Sequence, residues 1–219
     1  MDFNFIKEFA PLYIEAGKLT FRIALIGIIG SVIVGLACSL IRYYRVPILK
    51  RIVGIYIELS RNTPLLIQLF FLYFGLPKLG IMLSSESCAI AGLIFLGGSY
   101  MSEAFRSGLE AVDDIQIESG LSIGLTNFQV IRYILMPQAI TISFPAFLAN
   151  IIFLIKETSV FSAVALADLM YVAKDLIGLY YKTDESLFML VIAYSIILLP
   201  ISIVFTITER KLRYAGFGN

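Results

Sequence analysis

Residues 113–139 read DDIQIESGLSIGLTNFQVIRYILMPQA. Asp113, Asp114, Glu118 and Arg132 make this the longest interior stretch that no hydrocarbon layer would accept, and an apolar run lies on either side of it. A polar island between two apolar runs of spanning length sits in water on one side of a membrane. Its grammar predicts two short helices. Asp113 followed by Gln116, and Thr126 followed by Gln129, each fit a capping box. Gly124 stands between them, where a helix end or a sharp bend wants a glycine. Pro137 opens the next apolar run, where a missing N–H costs little.

The composition of the whole chain agrees. Of 219 residues, 59% are hydrophobic, and the mean hydropathy is +0.89, against about 45–50% apolar for a soluble domain. The expected class is an all-α polytopic membrane protein, one domain over residues 1–219. The net charge of +1 suggests no nucleic-acid partner. There is no histidine, which removes the commonest general base and metal ligand. Cys38 and Cys88 fall in different apolar segments and read as packing residues. No catalytic constellation and no Gly-x4-Gly-Lys-Ser/Thr loop is present, so the chain has no phosphate cradle of that kind. Lys7, Glu8 and Glu15 interrupt the N-terminus, so no cleavable leader is expected.

The order of elements follows from the apolar runs. Residues 1–22 read as an amphipathic lead-in helix on the membrane surface. Ile23–Ile41 is the first span, with Gly27, Gly30, Ser31 and Gly35 making one side small enough for close helix contact. The second, from Ile52 to Pro77, carries Glu58 and Arg61 at a spacing that lets them pair, and Pro64 predicts a kink. Ser87–Ser102 is the third span and runs into a helix with Glu103 and Arg106. Tyr133–Ile155 is the fourth, bent by Pro137 and Pro145. Residues 160–183 read as a helical segment on the outer side, and Leu187–Thr208 is the fifth span, with Pro200 inside. Nine Lys/Arg (residues 42, 45, 50, 51, 106, 132, 210, 211 and 213) fall at one set of ends and five (7, 18, 78, 174 and 182) at the other. The richer set belongs in the cytoplasm, which puts the N-terminus outside and the C-terminus inside.

Spacing makes the opening stretch more specific. Glu118, Gly124, Ile134 and Pro137 lie at offsets of six, sixteen and nineteen. This resembles the signature loop of ABC-importer permeases, a Glu-Ala-Ala triplet, a Gly and then Ile-x-Leu-Pro. Here the triplet is Glu118-Ser119-Gly120 and the Leu is Met136. From the loop alone an ordinary cytosolic helical hairpin reads the same way. The stretch from Glu58 to Gln68, ELSRNTPLLIQ, resembles the Glu-x-x-Arg-Gly-Thr-Pro-Leu-Leu-x-Gln segment of polar amino acid permeases, with Asn62 for the Gly. Asn tolerates the left-handed backbone that a Gly there would adopt. Residues 103–109 and the run Lys156-Glu157-Thr158-Ser159 are similar to further family segments, so the likeness covers roughly residues 15–215.

The resemblance implies a type I importer permease of a bacterial cell membrane. Glu118, Ser119, Gly120, Gly124 and Pro137 would belong to a coupling helix, within residues 113–137, that docks on an ATPase. Two ATP-binding subunits, holding the ATP and magnesium, would sit below. A second permease, identical or homologous, would complete the pathway, and an extracytoplasmic solute-binding protein would deliver an amino acid. Glu58, Arg61, Thr63, Pro64, Lys156 and Glu157 would form a gate or scaffold. Gln68 and Asn150, amides at membrane depth, are the candidates for solute contact, and helix-to-helix bonding is the competing role for both. A small secondary transporter or channel using the intramembrane charges is the alternative. Pairing of those charges in neighbouring opposites, and the lack of repeated halves, count against it.

Overall fold

The computed structural model describes residues 1–217, and side chains as far as Lys211. The basic tail residue Arg213, counted above toward the inner ends, has its side chain outside that description. Among the described residues the chain is all helix, with no strand. The elements are α1 (Phe3–Tyr43), α2 (Leu49–Arg61), α3 (Leu65–Phe70), α4 (Ser85–Glu110), α5 (Asp114–Ser122), α6 (Asn127–Val130), α7 (Met136–Glu157), α8 (Leu169–Tyr180) and α9 (Thr183–Phe217). Among the described residues four helical runs are long and apolar enough to cross a membrane, Phe3–Tyr43, Ser85–Glu110, Asn127–Val164 and Thr183–Lys211, while the apolar run Leu65–Leu79 in the expected second span is shorter.

The lead-in helix and the first span are one helix. α1 runs for 41 residues without a break, about 60 Å at 1.5 Å per residue. Its first third is not a free surface helix. Phe5, Tyr13 and Ala16 are buried against Leu169, Ala173 and Leu176 of α8 and against Met189 and Leu190 of α9. The sequence pattern looked amphipathic because α8 and α9 cover one side. Asp2 caps the helix, accepting from the N–H groups of Asn4 and Phe5, and Lys182 reaches its carboxylate at 3.2 Å.

Small residues set the packing of α1 on α4. A Cβ at Gly27 would meet Leu93, one at Gly35 would meet Met101 and the backbone of Ser102, and one at Gly97 would meet Ser31 and Leu154. The Ser31 hydroxyl bonds the carbonyls of Gly27 (2.7 Å) and Leu93 (3.1 Å), so the contact is polar as well as close. Without a hydrophobic drive in lipid, such fit and interhelical bonding hold helices together. Cys38 and Cys88 are buried and unbridged.

The stretch expected as the second span is broken rather than kinked. α2 stops at Arg61 and α3 starts at Leu65, with Pro64 in an extended conformation (φ −58°, ψ 141°). A π-turn (Phe71–Gly75) and a 3-10 turn (Leu76–Leu79) complete this passage. Proline strongly disfavours helical backbone in the residue before it, so the helix ends ahead of Pro64. Asn62 does not adopt the left-handed conformation expected of it: its φ is −93° and its ψ 3°.

Between α4 and α7 the polar stretch folds as α5 and α6. Asp113 caps α5 by accepting from the Ile115 N–H. Gln116 does not reach back to complete a box; its side chain meets Gln138 instead. The Thr126–Gln129 capping box is formed. Gly124 has φ +90°. The N–H of Leu125 bonds the carbonyl of Gly120 (3.1 Å) and that of Gly124 bonds Leu121 (3.0 Å), which is the double bond of a Schellman end. Ahead of Pro137 the helix widens into a π-turn over Ile131–Leu135. That turn makes room where the proline ring would strike the carbonyl four residues back.

Candidate functional site

The break in the second span is the structural centre of the candidate site. Ending a helix strands its last carbonyls, and a hydrocarbon layer would offer no water to take them. Side chains from the break itself do so. The Asn62 amide donates to the Glu58 carbonyl (2.8 Å). The Thr63 hydroxyl donates to the Leu59 carbonyl (2.8 Å). Gln68 donates from Nε2 to the carbonyls of Ser60 (3.0 Å) and Thr63 (2.9 Å). Gln68 is buried, and its Oε1 has no partner. An Asn, a Thr and a Gln in this order around Pro64 thus have a local cause: they hold the break open. Ser60 and Tyr56 tie α2 to the Phe95 carbonyl of α4, at 2.9 and 2.7 Å.

The charges beside the break are arranged differently from the expected pair. Glu58 and Arg61 make no ion pair among the described residues. Glu58 instead accepts from the Asn62 amide at 3.1 Å. Arg61 lies over the ring of Tyr100, 5.2 Å from its centroid. Both charged groups are exposed on the single chain. Asn150, half-buried on α7, donates from Nδ2 to the Tyr100 carbonyl at 3.2 Å. Arg61 and Asn150 therefore meet the same residue of α4 from two other helices. Tyr100 was not among the sequence candidates; its only signal was an aromatic with a polar tip in a glycine-rich span. Gln68 does not join this cluster by any hydrogen bond.

Lys156 and Glu157 close α7. They too form no ion pair among the described residues, since adjacent helix positions point apart. Beyond them Thr158 is buried and bonds the Ile155 carbonyl (2.7 Å). Asp168, fully buried, caps α8 through Tyr171 (2.9 Å), and its Oδ2 has no partner. Burial is the main cause that pushes its carboxyl up to about 7.

One turn along α4 from Tyr100, Glu103 accepts from Arg42 and from Arg106, the latter at 2.6 Å. This joins α1 to α4 just before the α5 stretch. On α5 Glu118 and Ser119 are exposed, Gly124 is exposed, and Gly120 is buried. A Cβ at Gly120 would press on Ile134 at 2.6 Å, so a small residue there fixes α5 against the start of the next span. Pro137 is exposed near the start of α7. Ile115, Ile123 and Phe128 turn outward, with Ile123 80% exposed. No group of acidic, cysteine or histidine side chains among the described residues could hold a metal ion.

Comparison with known proteins agrees with this architecture. The family model for the "Binding-protein-dependent transport system inner membrane component" matches residues 27–214. The chain is 34% identical over 215 residues to the "Probable amino-acid permease protein YxeN" of Bacillus subtilis, covering 97% of this chain and 96% of the relative. It is 36% identical over 180 residues to the "Probable glutamine ABC transporter permease protein GlnP" of the same organism, covering 81% and 83%. Among solved structures it is similar to an amino acid ABC transporter with histidines, at TM-score 0.89 and 29% identity, covering 96% of this chain and 99% of that one. The fold is shared with the MetNI methionine ABC transporter at TM-score 0.78 and 19% identity, covering 94% and 98%.

Proposed function

Since the chain belongs to the family of binding-protein-dependent transport system inner membrane components, we propose that it is a permease subunit of an ATP-driven amino acid importer. The observation that carries this reading is α5: an exposed helix with outward apolar side chains, set between two spans by the Gly124 turn. Glu118, Ser119, Gly120, Gly124 and Pro137 form and seat that helix. It docks on one of two ATPase subunits, which bind the ATP and magnesium. A second permease, identical or homologous, faces the broken span, and a solute-binding protein delivers the amino acid from outside. The chain crosses the bacterial inner membrane five times, counting the passage through α2 and α3, with its N-terminus outside and its C-terminus in the cytoplasm.

The pathway runs past the break. Arg61 and Asn150, both set on Tyr100, supply a cation and an amide to an amino acid's carboxylate and polar groups. Gln68 lines the same pathway from inside the break and holds Thr63 and Ser60 in place. Glu58, Thr63, Pro64, Lys156 and Glu157 are the scaffold that opens and closes it. The test is isolation through a tag on this chain. An ATPase subunit should follow it in detergent, and the reconstituted complex should accumulate glutamine only with ATP and the binding protein present. Isolation of the chain without any ATPase would overturn the proposal.

A further inference from the structure

The link between α1 and α2 forms an apolar groove with a cationic rim. Val46, Ile48, Ile52 and Ile55 line it, beside Arg45, Lys50 and Arg51. The inner-end cations divide sharply. Arg42 and Arg106 are tied to Glu103, whereas Arg45, Lys50 and Arg51 make no ion pair among the described residues. Arg45 and Lys50 also border a neighbouring hollow whose other side carries Glu110, Asp113 and Asp114. Arg51 faces the apolar groove alone.

The backbone here is strained. The Leu49 N–H bonds the Pro47 carbonyl at 2.7 Å, and Ile48 between them has φ 65° and ψ −56°. That is a γ-turn of the rare, positive-φ kind, and a β-branched side chain is the least suited to it. The result is an isoleucine 79% exposed beside three cations. Ile52 and Ile55 continue the exposed apolar face one and two turns along α2.

We propose that this groove holds an anionic phospholipid. The phosphate lies among Arg45, Lys50 and Arg51, and an acyl chain lies along Ile48, Ile52 and Ile55. A free phosphate would leave the isoleucines bare. A lipid with a negative headgroup satisfies both parts of the groove, and the inner leaflet is where such cations meet it.

Native mass spectrometry of the whole transporter tests this without reference to transport. The complex, isolated through this chain with its partner subunits, is offered phosphatidylglycerol or phosphatidylcholine in mixed micelles. The wild type should retain phosphatidylglycerol in preference. R45Q/K50Q/R51Q should lose about fivefold in retention per charge removed, the equivalent of ~1 kcal/mol for each basic residue near an anionic surface. I52S/I55S should weaken both lipids alike. If the triple variant does not assemble, R51Q alone should show the fivefold loss. Equal retention by wild type and R51Q overturns the proposal. So does loss of a subunit from the triple variant with lipid retention unchanged, which would assign these cations to a protein partner.

Discussion

The guanidinium of Arg61 sits over the ring of Tyr100, 5.2 Å from its centroid, rather than on Glu58 one turn before it. The Tyr100 carbonyl meanwhile receives the Asn150 amide. One residue of α4 thus positions a cation from α2 and an amide from α7. A cation over an aromatic face contributes about 0.5–2 kcal/mol, more as water is excluded. Tyr100→Leu should therefore raise the KM for solute uptake by roughly 2- to 30-fold, and Tyr100→Phe should leave it near wild type. Uptake in proteoliposomes at varied solute concentration gives the answer. An unchanged KM in Tyr100→Leu would remove Arg61 from the pathway.

Gln68 and Asn150 should separate cleanly. Gln68→Leu leaves the Ser60 and Thr63 carbonyls without their donor, and a buried polar group left unpaired costs about 1–3 kcal/mol. Its thermal midpoint in detergent should fall. Asn150→Leu removes only one longer bond, so the complex should assemble with basal ATPase activity while rate or solute preference changes. If both variants transport the native solute normally, the two amides are helix-to-helix bonds and nothing more.

The Gly124 turn should be tolerant of shape but not of chemistry. A Cβ there meets nothing within 4 Å, so its demand is the φ of +90° alone. Asn adopts such backbone more readily than other side chains. Gly124→Asn should keep most coupled transport, whereas Gly124→Val should lose much of it with the protein still in the membrane. Uptake and ATP hydrolysis, measured on the same vesicles, would show the two drifting apart. Equal behaviour of Asn and Val variants would deny the turn a role.

Asp168 makes the fold sensitive to pH in the direction opposite to a paired carboxylate. Burial lifts its carboxyl from the ordinary 3.8 to about 7. The native state then holds a proton that the unfolded chain has already lost, so between about pH 4 and 7 stability falls as pH rises, by up to ~1.4 kcal/mol per unit. Tyr194 from α9 and Lys174 further along α8 are the titratable groups acting with it. Asp168→Asn keeps the cap and removes the charge. Its melting point should exceed that of wild type at pH 8 by more than at pH 5. A constant difference across that range would mean that Asp168 does not titrate there.

Close packing between α1 and α4 carries a further expectation. A side chain at Gly35 would meet the backbone nitrogen of Ser102 at 2.9 Å and the backbone carbon of Met101 at 3.0 Å, and backbone cannot step aside. Gly35→Leu should destabilise by about 1–3 kcal/mol, as overpacking does, and lower the yield of folded protein. Gly54→Ala on α2, which meets nothing within 4 Å, is the matched control.

Much of the architecture was legible because each signal was local. The Thr126 box and the Gly124 end depend on residues within one turn of each other. Apolar length marked α4, α7 and α9 for the same reason. What escaped the sequence was set by distant partners. The N-terminal part of α1 looked like a surface helix because α8 and α9, more than 150 positions on, cover its apolar side. Arg61 was expected on Glu58 since spacing shows only same-helix neighbours, and Tyr100 on α4 is invisible to it. Pro64 announced a disturbance, but not that Asn62, Thr63 and Gln68 would cap a complete break. Neither Gln116 nor Lys156 took the partner that spacing offered.

The central claim is that this chain conducts an amino acid under the drive of a separate ATPase docked on α5. The most direct measurement places the tagged complex in proteoliposomes with ATP inside, adds the solute-binding protein and its labelled amino acid outside, and compares wild type with Gly124→Val, whose β-branched side chain resists the φ of +90°. The account predicts ATP-dependent accumulation by the wild type, and its loss in the variant while the permease remains in the membrane. Uptake by this chain alone, driven by an ion gradient and indifferent to ATP and to Gly124→Val, would contradict it.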